Sequence, residues 1–195
     1  LYAGLMIDKA GQPKVIEFNC RFGDPETQPI MLRLQSDLVE LCLAAVDGKL
    51  DKQTSQWDPR PSLGVVLAAG GYPADYNTGD QIHGLPLEEV PDGKVFHAGT
   101  TMKDDVVVTN GGRVLCVTAL GEDVAAAQKT AYALANHISW EGSFCPKDIG
   151  YRAINRKSSS RGALSAPNFF PLRSHSLSAA SCTHPLALPA TAAPL

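Results

Sequence analysis

Val15-Ile16-Glu17-Phe18-Asn19-Cys20-Arg21-Phe22-Gly23-Asp24-Pro25-Glu26-Thr27-Gln28 is the stretch that decides how this 195-residue chain is read. Strand alternation puts Glu17, Asn19 and Arg21 on one face, with Ile16 and Phe18 on the other, where Cys20 could join them. A carboxylate beside an amide carbonyl suits Mg2+, a hard cation that commonly takes few protein oxygens and fills its remaining positions with phosphate and water. A neighbouring guanidinium suits a phosphate or carboxylate through paired hydrogen bonds. The plain alternative is a surface salt bridge between Glu17 and Arg21 with little energetic weight. Spacing alone leaves both readings open.

Working outward, Leu1 to Asp8 and Lys14 to Phe18 are short apolar or β-branched runs. Lys9-Ala10-Gly11-Gln12-Pro13 between them suits a reversing connection, so the pair reads as a hairpin. Because Leu1 to Asp8 already looks like strand interior and no methionine precedes it, further chain upstream is expected. After a polar turn, Ser36 can cap a helix whose Leu38, Leu41, Cys42 and Ala45 share a face, and Gly48 can end it.

The closely spaced prolines of Trp57-Asp58-Pro59-Arg60-Pro61 favour an extended connection, and a domain boundary is placed at Pro59. Beyond it, Leu63 to Ala69, Lys94 to Thr101, Val106 to Thr109 and Arg113 to Leu120 have strand composition. Asn110-Gly111-Gly112 tolerates positive φ between the last two. A small antiparallel sheet is implied. An alanine-rich helix from Asp123 to about Ile138, apolar along Val124, Ala127, Ala131, Leu134, Ala135 and Ile138, would cover one face of that sheet. The fold class is therefore α+β, with no internal repeat.

Composition shifts near Arg156. Residues 157–195 hold no Asp or Glu and 21 Ser, Pro or Ala among 39, a mixture that cannot easily bury a core, so disorder is expected there. The first 156 residues keep 14 basic and 20 acidic side chains, a net −6. That balance, and the lack of any Lys/Arg run, excludes broad electrostatic attraction for nucleic acid or a membrane surface and leaves small molecules or other protein segments as partners. The five cysteines are scattered without zinc-site spacing and read as reduced thiols of a cytoplasmic protein; no run of about 18 apolar residues could span a bilayer.

The phrase Glu-Phe-Asn-Cys-Arg-Phe-Gly-Asp-Pro-Glu-Thr-Gln, residues 17–28, closely resembles the signature of the phosphoribosylamine–glycine ligase family, also called glycinamide ribonucleotide synthetase. The resemblance continues through Ser36-Asp37-Leu38, Leu63-Gly64-Val65-Val66, Ala69-Gly70-Gly71-Tyr72-Pro73, Phe96-His97-Ala98-Gly99-Thr100, Thr109-Asn110-Gly111-Gly112-Arg113-Val114-Leu115 and Asp148-Ile149-Gly150. It covers about residues 1–156 and nothing beyond.

The resemblance implies the C-terminal part of an ATP-grasp ligase: residues 1–58 ending the ATP-grasp domain, residues 59–156 forming a β-rich C-terminal domain, and residues 157–195 a tail. It implies ATP as co-substrate, glycine and phosphoribosylamine as substrates, and glycyl phosphate as the intermediate of purine synthesis. By the same resemblance, Glu17 and Asn19 would hold Mg2+ or Mn2+ against the ATP phosphates. Arg21 would neutralise the acyl phosphate or orient a substrate carboxylate, with a structural salt bridge as its alternative. Asp24 and Glu26, in a turn fixed by Gly23 and Pro25, would accept hydrogen bonds from an amine or ribose hydroxyl, or else cap a helix near Thr27.

Gly70-Gly71-Tyr72-Pro73 reads as an ordinary turn ahead of a ligand approach, and His97 as a packed or surface histidine ahead of a catalyst. Two competing readings are another ATP-grasp carboxylate–amine ligase and a non-catalytic remnant or binding module. Because the glycine-rich substrate domain and the adenine-gripping lobes of the family have no counterpart here, the 195-residue chain alone is expected to form no glycinamide ribonucleotide. Product formation assayed with the purified chain tests this.

Overall fold

The computed structural model describes the backbone of residues 2–159 and the side chains of residues 2–155. In chain order the elements are β1 (Tyr2–Ile7), β2 (Pro13–Asn19), α1 (Thr27–Arg33), α2 (Leu38–Val46), a single 3-10 turn (Leu50–Lys52), β3 (Ser62–Ala68), β4 (Gly93–His97), β5 (Thr100–Lys103), β6 (Val106–Thr109), β7 (Arg113–Leu120), α3 (Val124–Ala135) and α4 (Tyr151–Ser159).

The expected hairpin is present. β1 and β2 pair antiparallel, with Tyr2 opposite Asn19 and Gly4 opposite Glu17, and a register shift after Gly4 leaves Ile16 as the extra residue of a bulge. Asp8 shapes the connection, its Oδ1 accepting the Ala10 and Gln12 backbone N–H groups at 2.9 Å each. Leu5, Val15, Ile16 and Phe18 on this ribbon are each at least half exposed.

Two helices follow. α1 falls where the sequence offered only helix capping near Thr27 as one of two readings. α2 is found as expected, but its cap is Asp37, whose carboxylate accepts from Val39 N at 2.7 Å, and not Ser36. Ser36 Oγ is taken by the returning chain, accepting Gln56 N at 2.7 Å. The inward side of α2 also differs, since Ala44 is buried and Leu41 half-buried while Cys42 and Ala45 are exposed. Gly48 at φ 67° follows the helix, as its freedom in the left-handed region permits.

The main sheet runs β3-β7-β4, all antiparallel. Leu63, Val65 and Leu67 of β3 and Leu115, Val117 and Ala119 of β7 join one apolar cluster with Ala127, Ala131 and Ala135 of α3. Alanines at these positions let the helix axis close on the strands. Asp123 caps α3, its Oδ1 accepting Ala126 N at 2.9 Å. The expectation of a helix on one face only is incomplete. A Cβ on Gly64 would meet Pro29 of α1 at 3.0 Å and Cys116 Sγ at 3.1 Å, so α1 covers the opposite face, and β7 is buried from Val114 to Leu120. No periodicity could reveal this, because a strand buried on both faces does not alternate.

The run Lys94 to Thr101 is two strands, not one. Both Ala98 N and Gly99 N donate to Val114 O, and Gly99 lies so close to Gly111 and to Arg113 O that a side chain would collide with them. The chain there leaves β7 and forms β5, which pairs with β6 through Asp104 and Asp105 at φ 48° and 61°. Asn110-Gly111-Gly112 therefore does not join a paired β6–β7 hairpin. Gly112 is small because the Tyr72 ring occupies the space of a Cβ, rather than because of a positive φ. α4 runs through Arg156, where the composition changes, to Ser159. The disorder expected for residues 157–195 falls, beyond this helix end, outside the described residues.

A polar clasp holds the linker. Arg60 binds Asp58 at 2.8 Å and Asp92 at 2.8 Å, and Arg33 at the end of α1 donates to Asp58 O at 2.9 and 3.1 Å. Hydrogen bonds from the Arg60 guanidinium, then from the Arg60 backbone N–H, hold Asp58 down from 3.8 to about 2. The depressed value means that this stabilisation is complete above pH 3.8 and is lost as pH falls through about 2. Acid unfolding followed by circular dichroism is expected to lose its component between those values in Asp58→Asn, leaving the chain less stable at neutral pH.

Candidate active site

The signature turn carries β2 into α1. Gly23 O accepts the Thr27 backbone N–H at 3.0 Å and the Thr27 hydroxyl at 2.6 Å, which bends the chain back into the helix. Glu26 occupies the cap position of α1 but makes no side-chain cap bond. Its carboxylate instead accepts the Tyr2 hydroxyl at 3.3 Å. The capping alternative for Glu26 is thereby set aside.

Tyr2 marks the point where the site residues meet. Its phenol pKa is raised, first by the charge of Glu26, then by burial and the hydrogen bond to Glu26, then by the charge of Glu17, while Arg21 pulls it down. Of these three, Glu26 is the one in contact with the hydroxyl. Asn19 stands directly across the ribbon from Tyr2. Glu17 rises on the same side as Gly4 opposite it, where a Cβ would stand 3.1 Å from Glu17 Cγ.

Two residues depart from expectation. Arg21 lies beyond the end of β2, so strand alternation does not set its direction; its Nη1 donates to Phe22 O at 3.0 Å. Asp24 accepts Arg113 Nη2 of β7 at 2.6 Å. Sequence reading missed Tyr2 and Arg113. Counting back across the hairpin connection would have placed Tyr2 opposite Phe18, because the bulge at Ile16 shifts the register by one, and nothing local connects Asp24 with Arg113, 89 positions away.

The donor set fits a divalent cation with few protein ligands. Asn19 Nδ2 is buried without a hydrogen-bond partner, and the amide carbonyl and the Glu17 carboxylate are a pair of hard oxygen donors. Among the described residues no group of three or more His, Cys, Asp or Glu could hold a metal ion. A cavity of about 510 Å³ lies elsewhere, along β4 and lined by Leu32, Val90, Asp92, Lys94 and His97 among others. His97 is exposed there with Nδ1 3.0 Å from Thr100 Oγ1, and Gly71 at φ 97° makes the turn after β3 that the sequence favoured. Among the described residues no helix is long and apolar enough to cross a membrane.

This α+β arrangement, a metal-suited ribbon and turn followed by a small helix-covered antiparallel sheet, is that of the C-terminal part of an ATP-grasp ligase. The family model for the phosphoribosylglycinamide synthetase C domain matches residues 62–152, and that for its ATP-grasp (A) domain matches residues 1–27. The chain is 77% identical over 158 residues to the phosphoribosylamine–glycine ligase of Escherichia coli O6:H1 (strain CFT073), covering 80% of this chain and 37% of that protein. It is 69% identical over 157 residues to that of Vibrio vulnificus (strain CMCP6), again 80% and 37%. The crystal structure of the Thermotoga maritima phosphoribosylamine–glycine ligase aligns with a TM-score of 0.60 at 38% identity, over 75% of this chain and 36% of that one. The chain belongs to the phosphoribosylamine–glycine ligase family and spans 37% of the length of these bacterial relatives.

The Asp24–Arg113 pair has side-chain exposures of 58% and 39%. Exposed pairs contribute little, so Arg113→Ala is expected to lower stability by less than about 1 kcal/mol. Urea denaturation of the 195-residue chain measures this. A loss of several times that size would make the pair a brace of the fold.

Proposed function

We propose that this chain forms the C-terminal part of a ligase that joins glycine to phosphoribosylamine at the expense of ATP. The observation that carries the reading is the signature Glu17 to Gln28, whose Glu26 carboxylate meets the hydroxyl of Tyr2, the residue across the ribbon from Asn19. The 77% identity to a ligase of that name supports it. Residues 1–58 would end the ATP-grasp domain and residues 59–156 form the C-terminal domain, with the boundary at Pro59; family matches ending at residue 27 and beginning at residue 62 are compatible with it.

On this reading Glu17 and Asn19 hold Mg2+ or Mn2+, which supplies charge neutralisation to the phosphates. A glycine carboxylate oxygen attacks the γ-phosphorus, and the bond to the ADP oxygen breaks. Arg21 steadies the glycyl phosphate so formed by pairing with its anionic oxygens. The phosphoribosylamine nitrogen then attacks the glycyl carbonyl carbon, phosphate leaves with the carbon–oxygen electron pair, and the nitrogen gives up a proton. Glu26, and Asp24 on the Arg113 side, accept hydrogen bonds from the amine and ribose hydroxyls. The products are glycinamide ribonucleotide, ADP and phosphate. The free thiols Cys20, Cys42, Cys116 and Cys145 support a cytoplasmic setting.

The test joins residues 1–156 to the N-terminal portion of the ligase of Escherichia coli (strain K12), to which the chain is 76% identical over 158 residues. The hybrid is expected to make glycinamide ribonucleotide. Glu17→Gln and Asn19→Ala are each expected to lower kcat at fixed Mg2+ by roughly a hundredfold or more, with partial recovery as Mg2+ is raised for the milder variant. Turnover unchanged across the magnesium titration would reject these two residues as ligands.

A further inference from the structure

Gly23 is not in the left-handed region, so its backbone conformation does not call for glycine. Space does. Gly23 is buried, and a side chain on it would collide with Glu26 Oε2 and Tyr2 Cε2. The turn is thus kept bare where a phenol and a carboxylate from separate chain segments lie over it, with the Tyr2 hydroxyl donating to Glu26 Oε1 at 3.3 Å. One carboxylate oxygen is tied by the phenol while the other lies over Gly23. A glutamate on the rim of a turn, with no cap bond of its own to make, would otherwise sample several rotamers.

We propose that Tyr2 is a positioning residue of the ligase site, its hydroxyl fixing the Glu26 carboxylate so that Oε2 is presented to the amine of the phosphorylated amino-sugar. The inference rests on the reading of Glu26 as a substrate-binding group. Holding an acceptor in its working rotamer before substrate arrives removes an ordering cost from binding, and so acts on the affinity for that one substrate. Tyr2 reaches no substrate itself and acts through Glu26.

In the hybrid ligase, Tyr2→Phe removes the hydroxyl and keeps the ring over Gly23. It is expected to raise KM for phosphoribosylamine about tenfold, the scale of a hydrogen bond to a charged group, and to leave KM for ATP and glycine within about twofold. Glu26→Gln is expected to raise the same KM, and Tyr2→Phe to add nothing further in that background. Unchanged KM in Tyr2→Phe while Glu26→Gln is impaired overturns the positioning role and leaves the reading of Glu26 standing. Additive effects, or a lowered melting temperature of the 195-residue Tyr2→Phe chain with no selective KM change, overturn it too and make Tyr2 a structural tether. Unchanged KM in Glu26→Gln overturns the reading of Glu26 and the positioning role with it.

Discussion

β7 lies between β3 and β4 in the sheet, with α3 packed on one face and α1 on the other, and this double burial is the constraint from which the site geometry follows. α3 can close on the sheet because it presents alanines. α1 can close on the opposite face only because Gly64 leaves room for Pro29 and Cys116. Ser62 Oγ donates to Pro29 O at 2.8 Å and secures the same contact by a hydrogen bond. Once α1 is seated, the turn that precedes it has little freedom, and Asp24 arrives within reach of Arg113 at the start of β7. The functional turn is thus anchored by apolar packing in the second half of the chain, and the Arg60 clasp at the linker reinforces that seating from the far end of α1.

The turn gives its two carboxylates different partners. Asp24 is neutralised by a guanidinium from the sheet, while Glu26 is directed to the phenol of β1. A two-stranded ribbon is marginal by itself in water, and β1–β2 keeps much of its apolar surface exposed among the described residues. The Tyr2–Glu26 contact over Gly23 is one point at which the ribbon meets the turn that leads into α1. Gly23 serves both ends because it is the one residue type that lets two side chains meet above it.

Much of this was legible in the residues. The hairpin, the strands β3, β6 and β7, and α3 were placed within a residue or two at most ends, because each has a clear period or a clear breaker: alternation about Glu17, Gly11 in the connection, Asp123 before an alanine-rich run. What escaped depends on tertiary contact. The break between β4 and β5 comes from the backbone of Gly99 meeting Gly111, which no local propensity encodes. The cap of α2 moved to Asp37 because Ser36 was claimed by Gln56, 20 residues on. At the site, the residue types were readable from the signature, but the direction of each side chain was not. Arg21 sits past the strand whose alternation would have aimed it, and Asp24 answers to an arginine that only the folded sheet brings near.

On the proposed reading, the charge pattern gives a reason for a cation to accompany the phosphates at this turn. With Asp24 paired to Arg113, Glu17 and Glu26 remain against Arg21 alone, in a body whose net charge is already −6. A polyphosphate approaching that surface meets an anionic excess, and one guanidinium cannot offset it. On the proposed reading, Glu17 and Asn19 would hold a divalent ion that would supply positive charge there, and Arg21 would pair with the anionic group in transfer. The same balance keeps Glu26 useful. Its partner is a phenol, whereas Asp24 is paired with a guanidinium, and on the proposed reading that leaves Glu26 for a substrate amine.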